Sequence, residues 1–298
     1  MNKILKKIIS STLAAVSVVG GAVAFSGCTT DHPEVEMQLA FNGKTYTLEY
    51  KLYRKKAPNT VNHFLALVEN GYYNPKDGKQ ICIHDYTDSK WYTGAYAYDE
   101  NNEENGGLSY RDYFSIVSAY ENKDFVSVWK DEQKTTPTYT LYGEFSENGV
   151  KMDKGDFLAE SFGSLSMYYE STGENAEEYK VFVNRVDGGE TRTLQYEKNN
   201  ATSMFAINLT GSGMDKNHAV FATLDEDSVD ELNDLKSAIE SYIKANFSDD
   251  EDAAERFTES VEIHYGAGDP FIAESELTVE YDVPTSPIVI KNVKVLKY

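Results

Sequence analysis

Alternation of apolar and polar residues is the clearest pattern along the chain. Residues 35–41 and 45–53 alternate with a period of two around Asn42 and Gly43, which tolerate positive φ in a tight turn. These two runs predict a β-hairpin. Similar but shorter runs predict strands at 80–84, 138–142, 163–169, 203–209, 219–224, 277–283 and 288–296.

A helical period replaces the alternation in two places. The first predicted helix starts at Pro58 and ends before Gly71, with apolar residues at positions 61, 64, 65 and 68. The second begins at Ser228, which with Glu231 matches a capping box, and continues to Phe247. Many short strands with two helices predict a mostly β barrel or sandwich.

Polar and acidic stretches separate these elements at 85–134, 171–200 and 248–275. No linker rich in Pro, Gly or Ser divides the chain, so we interpret 35–298 as one domain that carries these three stretches as long insertions.

The first 27 residues differ in kind from the rest. Three lysines within the first seven residues precede an uncharged apolar run over 8–25, which is typical of an export signal. The following Ser26-Gly27-Cys28 resembles a bacterial lipobox, which implies lipidation of Cys28 and a short tether over 28–34. We therefore expect a lipid-anchored extracytoplasmic protein. An uncleaved membrane anchor and a plain secretory signal remain the alternatives.

Charge, cysteine content and histidine spacing limit the binding partners and ligands that we expect for this chain. The 298 residues include 28 basic and 49 acidic ones, for a net charge of -21, which disfavours nucleic acid and anionic lipid surfaces. Membrane contact is therefore expected through the lipid anchor alone. Cys82, the second of two cysteines, is expected to be buried. The five histidines form no HExxH pair, so we predict neither a metal site nor a cofactor.

Four segments, in the same order along the chain, resemble the cyclophilin family of peptidyl-prolyl isomerases. Residues 57–73 are similar to the family phrase "AP.TV.NF..L...GYY", and the other three segments are 142–145, 163–167 and 214–221. The resemblance implies a closed antiparallel barrel of eight strands capped by two helices. It also implies peptidyl-prolyl isomerase chemistry.

That chemistry needs a hydrogen-bond donor that meets the prolyl nitrogen as the amide twists. In the family an arginine follows a histidine at this place, whereas here His84 is followed by Asp85. The substitution reverses the charge and leaves no residue that we assign as catalytic, so we expect isomerase activity to be weak or lost. An arginine from elsewhere, such as Arg111 or Arg185, is the alternative source of a cation.

The family resemblance also places an aromatic and thioether surface where substrate would lie. The candidate peptide-binding residues are Trp91, Tyr92, Tyr168, Met204, Met214 and His218. Their alternative role is to fill a site that no longer functions, and His218 in particular fits a structural strand-end histidine. We expect peptide or unfolded protein segments, including proline-containing ones, as partners in extracytoplasmic folding. A structural or adhesive lipoprotein that displays its insertions on the barrel is the alternative function.

Overall fold

The structure is a computed structural model that describes residues 30–76, 78–102, 106–120, 128–148, 157–168, 180–184, 191–195, 201–211, 218–247, 255–265 and 277–298. Three α-helices lie within this part: α1 (Pro58–Glu69), α2 (Tyr113–Ser118) and α3 (Val229–Phe247). The strands are β1 (Glu34–Phe41), β2 (Lys44–Leu52), β3 (Ile81–Tyr86), β4 (Lys90–Tyr98), β5 (Leu108–Tyr110), β6 (Val128–Trp129), β7 (Leu165–Met167), β8 (Lys180–Asn184), β9 (Thr191–Gln195), β10 (Phe205–Asn208), β11 (Val220–Leu224), β12 (Thr258–Tyr265), β13 (Leu277–Pro284) and β14 (Val289–Lys297).

Eight of these strands form a closed antiparallel barrel. Their order is β10-β7-β11-β2-β1-β14-β3-β4, and β4 pairs again with β10 to complete the ring. β5 pairs with the C-terminal part of β4 and so extends the sheet beyond the barrel. β6, β8 and β9 form a separate three-stranded sheet. The predicted closed eight-stranded barrel is therefore confirmed.

The barrel interior follows from the period-two pattern, because alternate side chains of a strand point to one face. In β1 every second residue is buried, beginning with Val35. α1 adds Phe64, whose ring packs 5.5 Å from that of Phe205, and α3 adds Tyr242, which packs 5.4 Å from Phe41. Each predicted helix thus contributes aromatic side chains to the core, and the expected pair of capping helices is confirmed.

The start of α3 is attached to the edge of β2. β11 pairs with β2 only from Tyr50 to Leu52, so the earlier N–H groups of β2 need other acceptors. The N–H of Glu49 donates to Ser228 Oγ at 2.9 Å, and the N–H of Thr47 donates to Glu231 Oε1 at 3.3 Å. The capping-box interpretation of Ser228 and Glu231 is therefore wrong, since both side chains accept from a strand.

The N-terminus of α1 is held by a buried carboxylate. Glu144 accepts the N–H groups of Asn59 and Thr60 at 3.1 and 2.7 Å, and their side chains donate to it as well. Burial raises the pKa of Glu144, and these hydrogen bonds oppose that rise. The segment 142–145 thus has a structural role, which is to satisfy the first turn of the helix.

Three boundaries differ from the prediction. β4 lies inside the stretch 85–134, which the sequence analysis assigned to an insertion. Tyr113, from the same stretch, is buried, and its hydroxyl lies 3.2 Å from Nε2 of His63. The expected strand 138–142 is reduced to one bridge between Leu141 and Ala201. The expected strand at 277–283 is β13, but it pairs with β12 in a separate hairpin rather than with the barrel.

Candidate functional site

Asp85, which the sequence resemblance aligns with an arginine, lies near the end of β3 opposite Tyr92 of β4. Its Oδ1 accepts the backbone N–H of Asp282 in β13 at 3.2 Å. Burial raises the pKa of Asp85 to about 6; the hydrogen bond from Asp282 opposes this rise, and the negative charge of Asp282 adds to it. The carboxylate is therefore engaged by the hairpin and supplies no donor to a twisting amide.

His84 is fully buried between two tyrosine rings. Its ring centroid lies 4.9 Å from those of both Tyr96 in β4 and Tyr281 in β13. Neither ring nitrogen has a hydrogen-bond partner among the described residues. Burial lowers the pKa of His84 to about 3, so the imidazole is neutral at pH 7.

The hairpin of β12 and β13 covers the outer face of β3 and β4. Val261, Tyr281 and Val283 of the hairpin are buried in one cluster with barrel residues. The other buried members of that cluster are Cys82 of β3, Ala95 and Tyr96 of β4, Leu108 of β5 and Met204 just before β10. At Gly106, whose φ is +57°, a Cβ would lie only 2.8 Å from Val261 Cγ2, so this loop also approaches the hairpin closely.

Sequence reasoning missed this cover. It assigned 248–275 to an insertion and 277–283 to the barrel, and so had no reason to place Tyr281 against His84. The available signal was the alternation in β12, where Val261 and Ile263 occupy one face between glutamates. Two adjacent alternating runs joined by a loop predict a hairpin of their own.

Trp91 and Met204 differ from their predicted place on a peptide-binding surface. The side chain of Trp91 points into the barrel, is 0% exposed, and stacks on Tyr86 with 5.5 Å between ring centroids. Met204 is 1% exposed and belongs to the cluster beneath the hairpin. Strand alternation puts Trp91 on the inner face, and the hairpin covers Met204, so peptide reaches neither side chain in this structure.

Tyr92, Tyr168 and His218 are the described members of the predicted surface that are half-buried. The rings of the two tyrosines form a T-shaped pair with centroids 5.4 Å apart, and Tyr92 lies opposite Ala206 in the pairing of β4 with β10. His218 lies just before β11. Met214, Arg185 and Cys28 lie outside the described residues. Peptide binding at these positions remains a prediction.

A buried ion pair lies on the same outer face as Tyr92. The ammonium of Lys90 is 2.6 Å from Glu160 Oε1, and the two side chains are 18% and 4% exposed. Ser166 Oγ donates to the same carboxylate oxygen of Glu160 at a distance of 3.4 Å. Asn208, opposite Lys90 in the strand register, donates its amide to Ser166 Oγ at 2.8 Å. This part of the face is therefore charged and polar rather than an apolar pocket.

Arg111 was the other arginine considered from the sequence. Its guanidinium carbon lies 5.1 Å from the ring centroid of Tyr72, and its backbone N–H donates to Ala95 O at 2.9 Å. Burial raises the pKa of Tyr72 to about 12, and the positive charge of Arg111 opposes that rise. The guanidinium thus stacks on the segment that follows α1.

No group of three or more His, Cys, Asp or Glu side chains among the described residues is placed to hold a metal ion. None of the helices in the described ranges is both long enough and apolar enough to span a membrane.

The chain was compared with known proteins. No protein-family model and no curated protein matches it. Solved structures that match include a cyclophilin-type peptidyl-prolyl cis-trans isomerase from Cryptosporidium parvum, at 15% identity and a TM-score of 0.41, covering 90% of this chain and 99% of that one. The same isomerase in the presence of the dipeptide Ala-Pro matches at 15% identity and 0.40, covering 89% and 99%. The Mimivirus cyclophilin matches at 13% identity and 0.42, covering 91% and 93%.

Proposed function

We propose that this chain is a divergent relative of the cyclophilin-type isomerases that acts in protein folding or peptide binding outside the cytoplasmic membrane, with weak or lost isomerase activity. The four family-like segments and the closed barrel support the relationship. One observation supports the statement on activity: the carboxylate of Asp85, which the sequence resemblance aligns with a cation, accepts the N–H of Asp282.

The physical reason lies in the transition state of prolyl rotation. As the amide twists, its nitrogen gains a localised lone pair that a positively charged donor stabilises. An ionised carboxylate has no proton to donate and repels that electron density. His84 cannot replace the cation, because burial keeps its imidazole neutral at pH 7.

A prolyl exchange assay tests this proposal. We expect the chain from Thr29 to Tyr298 to leave the exchange rate of an Ala-Pro peptide within about twofold of the uncatalysed rate. The Asp85→Arg variant should remain silent as well, because the hairpin still covers the face, and Asp88→Arg on the exposed loop after β3 is the matched control. A wild-type acceleration typical of an isomerase, far above tenfold, would refute the statement on activity.

Peptide binding has its own test. Tyr92 and Tyr168 form the half-exposed aromatic pair of the face, and aromatic rings with polar tips suit recognition surfaces. We expect Tyr92→Ala to weaken binding to a panel of proline-containing and unfolded segments by about tenfold. Tyr53, whose ring packs on His32, is the control, and Tyr53→Ala should not change the binding. If the unmodified chain binds no member of the panel, the binding function is wrong.

The extracytoplasmic location rests on Cys28. We propose that its thiol carries the lipid and anchors the chain, since two acyl chains give stable membrane attachment. Partition of the exported protein into a detergent phase should be lost in Cys28→Ser and retained in Cys82→Ser. Partition that persists in Cys28→Ser would instead favour an uncleaved hydrophobic segment.

A further inference from the structure

The contact between the β12–β13 hairpin and the barrel combines apolar packing with buried polar atoms to which the hairpin gives no hydrogen bond. Val261, Tyr281 and Val283 supply the packing. Against this, both ring nitrogens of His84 are buried with no hydrogen-bond partner in the described part of the chain, and water would hydrate them if the hairpin moved away. The contact is therefore weaker than an apolar interface of equal area.

The carboxylates of Asp85 and Asp282 weaken the contact between the hairpin and the barrel further. Asp85 is partly desolvated beneath the hairpin, and the nearby carboxylate of Asp282 raises its pKa further. Within the described residues, the titratable groups placed against His84 and Asp85 are Tyr92 and Tyr96 of β4 and Tyr281 and Asp282 of β13, and none of these four is a cation. Opening the hairpin would hydrate both Asp85 and His84.

Two of the contacts that β13 makes with β3 each have a simple chemical requirement. An aromatic ring, that of Tyr281, lies edge-on at 77° to the imidazole of His84. The following residue, Asp282, presents its backbone N–H to the carboxylate of Asp85. A segment that makes both contacts therefore needs an aromatic residue followed directly by a residue with a backbone N–H. Every residue except proline has that donor.

We propose that the β12–β13 hairpin is a displaceable cover, and that the face beneath it binds an extended segment of another polypeptide through the same two contacts. The ligand presents an aromatic residue over His84 and, directly after it, a residue other than proline whose N–H reaches Asp85. This inference deepens the proposed peptide-binding function and rests on it. It also gives the chain a preference against proline at the position bound by Asp85.

Cys82 provides a native probe of the cover. Its thiol is 2% exposed, belongs to the cluster beneath the hairpin and is the single thiol of the chain from Thr29 to Tyr298. Tyr281→Ala should speed its reaction with a maleimide by about a hundredfold, given the usual cost of truncating a buried aromatic. Tyr53→Ala is the matched control and should leave the rate unchanged. An unchanged rate in a folded Tyr281→Ala chain would overturn the cover.

A second measurement tests recognition. A synthetic peptide with the sequence of residues 277–284, LTVEYDVP, is added to the Tyr281→Ala chain and the maleimide reaction of Cys82 is followed. The peptide should slow the reaction at least fivefold, and its Asp282→Asn form should protect at least as well, because the backbone N–H remains and the charge that repels Asp85 is gone. The Asp282→Pro form should give no protection. Equal protection by the proline form, or none by the natural peptide, would refute recognition.

These outcomes are separable from those of the proposed function. If the peptide panel shows no binding but Tyr281→Ala exposes Cys82, the cover stands and the general peptide-binding function fails. If the panel binds and Cys82 stays protected, the function stands and the cover fails.

Discussion

The ring of Tyr281 lies edge-on against the imidazole of His84, with 4.9 Å between their centroids. This contact joins a strand outside the barrel to the barrel residue that precedes the expected cation position. It contributes to the burial of the imidazole, which is 0% exposed.

Proton uptake by His84 should weaken the covered state. Because burial lowers its pKa from 6.5 to about 3, the stabilisation is complete above pH 6.5 and is lost as the pH falls toward 3, at about 1.4 kcal/mol per pH unit. The Asp85→Asn variant removes the opposing titration of Asp85 and leaves that of His84. In this variant the maleimide reaction of Cys82, measured relative to that of a free thiol at the same pH, should accelerate as the pH falls from 6.5 to 4.5. A flat profile would contradict the burial of His84 in solution.

Asp85 should act in the opposite direction. Its pKa is raised from 3.8 to about 6, so the covered state is fully stable below pH 3.8 and loses stability as the pH rises through 6. In His84→Leu the corrected reaction of Cys82 should therefore accelerate with rising pH. The unmodified chain should show a shallower dependence than either variant, because the two effects oppose each other between pH 4 and 6.

Glu144→Gln should destabilise the fold by about 2–4 kcal/mol. The amide removes a charge-assisted acceptor from two backbone N–H groups of α1 in a buried place. Glu132→Gln makes the same change at an exposed residue and should shift the free energy of unfolding by less than about 0.5 kcal/mol. Urea unfolding measures both, and similar losses in the two variants would contradict the capping role of Glu144.

Gly94→Ala should prevent normal folding or cost more than about 3 kcal/mol. Gly94 has a φ of +105°, and a Cβ there would lie 2.2 Å from the carbonyl oxygen of Ser203, which belongs to backbone and cannot rotate away. Gly43→Ala also has positive φ, at +79°, but meets open space and should cost about 1 kcal/mol. Thermal unfolding of both variants separates the steric effect from the conformational one.

Lys90→Met should cost about 3–5 kcal/mol because it leaves Glu160 buried without its ion partner. The double variant Lys90→Met with Glu160→Leu should recover most of that loss, since an apolar pair of similar size is often as stable as a buried ion pair. Urea unfolding of the single and double variants tests the pair. No recovery in the double variant would mean that Lys90 contributes mainly through packing.

Local patterns predicted much of the fold. The alternation in β1 and β2, the helical period after Pro58 and the apolar face of α3 all correspond to elements of the structure. Boundaries failed where the deciding contacts lie far away in sequence. Ser228 and Glu231 fit a capping box locally, yet they accept N–H groups from residues about 180 positions earlier.

The candidate site was less predictable than the fold. Sequence reasoning found the change at Asp85 because it compares residues one by one. It misplaced Trp91, because an aromatic residue reads the same on either face of a strand, and only the strand register sends its side chain inward to Tyr86. It missed Tyr281, whose position against His84 depends on a hairpin that pairs apart from the barrel sheet.

The sequence by itself determined the elements and the chemistry at single positions: a period of two or 3.6 is a property of neighbouring residues, and a carboxylate at position 85 is acidic in any fold. The tertiary structure decided which face each side chain occupies and what covers it, because burial of His84 and Asp85 arises from contacts with residues almost 200 positions away. Solvation sets their charge and their access to a ligand, and solvation belongs to the folded surface rather than to the order of residues.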